Sequence, residues 1–101
     1  MISENGKDET VKESPKKLED NANVNEKDKE RVKEIEYTIK GIKRYYDMFI
    51  VVLTYGTRIV ADSYTISIKN NNEVVFNFFI KDSYDPIYHI PLDQIKIIRD
   101  G

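Results

Sequence analysis

Apolar and polar positions alternate most plainly in the middle of the chain. In SYTISIKNNNEVVFNFFIK, Tyr64, Ile66 and Ile68 alternate with Thr65, Ser67 and Lys69, and after Asn70-Asn71-Asn72 the period of two resumes at Val74, Phe76, Phe78 and Ile80. Successive side chains on a strand point to opposite faces, and Asn tolerates the positive φ of tight turns, so this stretch predicts a hairpin. Met48 to Tyr55 is apolar at nearly every position and rich in β-branched residues, the pattern of a central strand covered on both faces. Gly56 then turns the chain into a shorter strand around Arg58 to Ala61. Pro86 and Pro91 bracket the short stretch IYHI, where each proline removes a ladder donor. The final segment, LDQIKIIRDG, predicts a turn at Leu92 to Gln94 and a closing strand carrying Ile95, Ile97 and Ile98.

Residues 32–46 carry two patterns at once. Val32, Ile35, Ile39, Ile42 and Tyr46, followed by Phe49, are spaced 3, 4, 3, 4 and 3, which places them on one helical stripe. Ile35, Tyr37 and Ile39 also alternate with Glu34, Glu36, Thr38 and Lys40, as a strand requires. YTIKGIKRYY is rich in β-branched and aromatic residues, and Gly41 would cost a helix interior about 1 kcal/mol relative to Ala. Propensity therefore favours a strand from about 34 to 43 that turns through Tyr45 to Asp47 into the central strand.

Six or seven short strands with tight connections predict an all-β fold, a small antiparallel meander closing into a barrel or sandwich. The alternative is a helix over 28–46 packed on a four- or five-stranded antiparallel sheet.

Composition divides the chain. All eleven aromatic residues lie after residue 36, and the first 30 residues contain only scattered aliphatics such as Ile2, Val11, Leu18 and Val24. Those 30 residues bury too little apolar area to offset the entropy of ordering them, so residues 1–30 read as a disordered charged tail and 31–101 as one small β-rich domain. The tail has nine acidic residues against six lysines, whereas the remainder has ten basic against nine acidic. The acidity thus belongs to the tail, and a nearly neutral domain has no strong field to steer a polyanion.

About seventy residues is near the lower limit at which one core holds unaided. Without cysteine, the chain has no disulfide or thiolate metal site to help, and a reducing compartment, the cytoplasm, is the expected location. No charged-then-apolar segment opens the chain, which argues against a cleaved signal peptide, and the run from Met48 to Leu53 is too short to cross a bilayer as a helix. No membrane association is expected.

Chemistry narrows the choice further. His89 is the single histidine, which excludes any mechanism or metal site needing two. A Ser-His-Asp arrangement would have to recruit Ser83, Asp82 or Asp85 from KDSYDP, which reads instead as a solvated connector whose side chains cap backbone amides. His89 itself, within IYHIP, reads as a half-buried packing residue rather than a base. Asp82, Asp85 and Asp93 lack the repeating acids and central glycine of a calcium loop. GxGxxG, Walker and HExxH motifs are absent as well. The expectation is a non-enzymatic protein with no catalytic, cofactor-binding or metal residues and no cofactor.

Interaction chemistry remains. Lys43, Arg44, Tyr45, Tyr46, Tyr55 and Arg58 are the candidate interaction surface, since cations beside aromatic rings on a β-surface suit single-stranded nucleic acid: cations meet phosphate and bases stack on rings. In KRYYDMF, however, Asp47 stands where the RNA-recognition consensus needs a small residue. Seven tyrosines in one small domain offer rigid contact area with a polar tip, the material of protein interfaces. A marginal core would also gain from pairing exposed strand edges or tyrosine faces with another chain. The leading expectation is a non-catalytic protein-interaction module with the capacity to self-associate; the alternative is a single-stranded nucleic-acid-binding small β-barrel using the basic and tyrosine surface.

Overall fold

The computed structural model describes residues 24–101. Most of the tail assigned from composition, residues 1–23, lies outside the described residues. Residues 24–30 belong to the folded body: Val24 is buried, and Asn25 caps a helix, α1, that runs Glu26–Lys43. The Asn25 side-chain oxygen accepts a hydrogen bond from the Asp28 amide at 2.8 Å. Glu26 and Asp28 lie at the positive end of the helix dipole and Lys40 and Lys43 at the negative end.

This helix corrects the strand expected over 34–43, and the class is mixed α and β rather than all-β. Of the two patterns in the segment, the helical one sets the burial. Val32, Ile35 and Ile39 are buried and Ile42 packs against them, whereas Tyr37, which a strand would have placed beside Ile35 and Ile39, is 81% exposed. The stripe ends with the helix: Tyr46 is exposed in the turn that follows, and Phe49 opens the first strand. Gly41 sits on the exposed side, where its entropic cost is local and the burial of the opposite face outweighs it.

Six strands follow: β1 (Phe49–Leu53), β2 (Arg58–Ala61), β3 (Ser63–Ile68), β4 (Val74–Phe79), β5 (Tyr88–Pro91) and β6 (Ile95–Asp100). They form two three-stranded antiparallel sheets, in the orders β2-β1-β6 and β3-β4-β5, and do not close into a barrel. The expected hairpin is β3 and β4, paired from Ser63↔Phe79 to Ile68↔Val74, and its turn places Asn72 at φ 67°. Gly56, at φ 94°, makes the turn from β1 to β2, where the left-handed backbone would strain any side chain. A 3-10 turn at Leu92–Gln94 carries the chain from β5 in one sheet to β6 in the other. The other crossing is at Asp62, between β2 and β3.

One core joins all three parts. Phe49 of β1 meets Phe78 of β4 edge to face at 6.0 Å, and Phe78 stacks on Phe76 at 5.6 Å. β1 is central to its sheet as expected, but its faces differ: Phe49, Val51 and Leu53 are fully buried, while Ile50 and Val52 are half-buried. The helix is pinned at both ends of β1. Arg31 donates to the carbonyls of Ile95 and Lys96 at 3.2 and 2.9 Å, and Lys43 donates to the carbonyl of Asp62 at 2.7 Å.

Candidate interaction surface

Two of these anchors fix where the six candidate residues lie. Lys43, Arg44, Tyr45 and Tyr46 are the end of α1 and the turn after it, beside the Phe49 end of β1. The amides of Tyr45 and Tyr46 both donate to the Ile42 carbonyl, a tight helix ending that leaves the rings outside, Tyr45 at 81% exposure. Lys43 has its ammonium on the carbonyls of Asp47 and Asp62, so it ties the helix to the bend between the sheets rather than offering a free cation. Tyr55 and Arg58 flank Gly56 at the opposite end of β1. About 13 Å of strand separates the two groups, and they do not form one platform at the end of a single hairpin.

The second sheet holds a polar chain that the sequence reading missed. Thr65, Asn77 and His89 lie across from one another on β3, β4 and β5. Asn77 is buried, donates its amide to the hydroxyls of Thr65 (3.1 Å) and Ser67 (2.9 Å), and sits 2.7 Å through Oδ1 from Nδ1 of His89. A carbonyl oxygen only accepts, so Nδ1 of His89 carries the proton. His89 is exposed, not the half-buried packing residue expected, and its partner is a carboxamide. The legible signal was Asn77 itself, a polar residue between Phe76 and Phe78 that needs partners if buried.

Two titratable groups are tuned by the architecture. Burial, then the hydrogen bond to Glu36 and its negative charge, push the Tyr64 phenol well above its ordinary value; its hydroxyl donates to Glu36 Oε2 at 2.7 Å, which ties α1 to β3. The Asp62 carboxyl is held below its ordinary value, chiefly by the Lys81 amide that donates to it at 2.8 Å, against an opposing effect of burial, with Ser63 and Lys43 also lowering it. Both serve to fasten elements. In the connector from β4 to β5, the Asp85 amide donates to Ser83 Oγ at 3.0 Å, a local turn bond of the kind KDSYDP suggested. Among the described residues no three His, Asp or Glu side chains gather as metal ligands, and no helix is long and apolar enough to cross a membrane.

The strand edges are the remaining polar surface. In an antiparallel ladder alternate residues turn their N–H and C=O toward the partner and the others turn them away. Leu53 donates to the Thr57 carbonyl, so Ile59 and Ala61 face β1 and Arg58 and Val60 face outward. The same alternation directs Ile97 and Arg99 of β6 to β1 and leaves Ile98 and Asp100 facing outward. On β5, Ile90 and Tyr88 face β4, and His89 and Pro91 face outward. In comparisons with known proteins, no family model, curated protein or solved structure matches the chain.

Proposed function

We propose that this protein is a non-catalytic interaction module that associates with copies of itself through the outer edges of β5 and β6. The observation that carries the reading is that these two strands, the outermost strands on either side of the 3-10 turn, pair on one edge only. Unpaired edges are templates for further strands, and a small domain gains stability by filling them. The two edges differ. β5 offers the His89 amide and carbonyl and, at Pro91, a carbonyl alone; β6 offers Ile98 and Asp100, the Ile95 and Lys96 carbonyls being taken by Arg31. An edge that differs from its partner's edge pairs head to tail, which generates a ring if the rotation closes and a filament if it does not. Exposed Ile97 and Tyr88, on these same two strands, supply apolar area beside the ladder.

The nucleic-acid alternative would rest on half of its residues at a time, because the basic and tyrosine positions stand at two ends of β1. Sedimentation of the full chain over a range of concentrations tests the choice. Self-association predicts species heavier than the 11.9 kDa chain that shift toward monomer when Asp100→Pro removes an outward amide at an exposed position. A strictly monomeric chain at millimolar concentration, or short oligonucleotides bound at low salt and lost on neutralising Arg44 and Arg58, would replace this reading.

A further inference from the structure

The ladder splits at Asp62. Its amide still donates to the Phe79 carbonyl of β4 at 3.1 Å, but the outward groups of Val60 and Arg58, next along the same edge, have no strand beside them. They face a cavity of about 340 Å³ between the diverging sheets, walled on the far side by Phe79, Asp85, Pro86 and Tyr88. That volume lies within the range of binding clefts. Among the described residues Arg58 and Asp85 form no ion pair with each other or with any other side chain, so the cleft presents one cation and one anion apart. Tyr88 adds a half-exposed ring.

We infer that this cleft binds an extended polypeptide segment from a partner, laid along β2 as an added strand, with an acidic side chain toward Arg58 and a basic one toward Asp85. Extended main chain is the chemistry that matches alternating amide and carbonyl groups spaced two residues apart on an open edge. The separated charges select for a segment carrying both signs, and the walls formed by Phe79, Pro86 and Tyr88 cover its apolar parts. The edge from Arg58 to Ala61 is about 10 Å long, enough for about three or four residues. The cleft shares the Tyr88 ring with β5, but its open amides are those of Arg58 and Val60 on β2, so either reading can fail without the other.

The blocked pentapeptide acetyl-Thr-Glu-Thr-Lys-Thr-amide, titrated into the isotope-labelled full chain, is the test. The amide resonances of Arg58 and Val60 should shift and their hydrogen exchange slow tenfold or more, with the Asp85 to Tyr88 segment shifting alongside. Asp85→Lys should turn the preference toward a peptide with Glu in place of its Lys. Val60→Pro, which removes one outward amide at an edge that tolerates proline, should weaken binding at least tenfold while leaving the amide spectrum of the core unchanged. Arg58 and Val60 amides unmoved at millimolar peptide, or shifts confined to His89 and Ile98, would overturn the inference. So would a preference indifferent to the charge at residue 85.

Discussion

At the scale of single residues, the side chains with the most to lose are those that fasten one element to another. Tyr64 joins β3 to α1 through Glu36, and its phenol is held above its ordinary value by burial and by that carboxylate. The linkage has a definite sign. With the folded value raised, the folded state keeps its proton where the unfolded chain has begun to lose it, so stability is full below the ordinary value of about 10 and declines as pH rises through it. Thermal melts across that range should show an alkaline loss that Tyr64→Phe reduces, and near neutrality the same change should cost about 1 kcal/mol for a half-buried bond to a charged acceptor. Asp62 has the opposite sign. Its lowered value means stability present above the ordinary carboxyl range and lost as pH falls through the folded value, a small effect at a group that is only partly buried.

At the scale of elements, α1 shows how one segment can satisfy two periods and fold by the one that packs. Gly41 has open space around its missing side chain, so Gly41→Ala should raise stability by about 0.5–1 kcal/mol, read as a higher midpoint in urea with unchanged slope. Asn25→Ala removes the cap on the Asp28 amide and should lower it by about 1 kcal/mol. The strands were legible because apolar residues recur at every second position on either side of the Asn70 to Asn72 break: β3, β4, the Asn72 turn and the closing β6 all stand where the pattern placed them, although β4 is buried on both faces. The helix escapes intrinsic propensity because propensity takes no account of the face a segment packs against. β-branched residues and Gly41 cost a few tenths to one kcal/mol each, whereas burying Val32, Ile35 and Ile39 against β1 and β6 returns about 1.5–3 kcal/mol per side chain. Nor could the candidate surface be read locally. Whether Tyr46 and Tyr55 share a face depends on the direction of β1 and on where α1 ends, and both are tertiary facts.

At the scale of the whole molecule, the two sheets and the helix depend on a single cluster, and the joint between the sheets is aromatic. Phe49 is fully buried and meets Phe78 across the gap at 6.0 Å, while Ile35 and Ile39 close the same cluster from the helix side. No part has a second core to retain when this one is breached, so unfolding should be a single transition in which helical ellipticity and the tyrosine signal of Tyr64 disappear together. Phe49→Ala should cost about 3–5 kcal/mol, from lost transfer energy and the cavity left behind. A domain of this size has a total stability of about 4–12 kcal/mol at ordinary values per residue, so the variant should lose about a quarter of it or more and unfold at clearly lower denaturant. Chemical denaturation followed by both signals is the check. Coincident curves shifted to low denaturant would match one cooperative body, whereas a helix that persists after the tyrosine signal is gone would show that α1 stands apart from the sheets it covers.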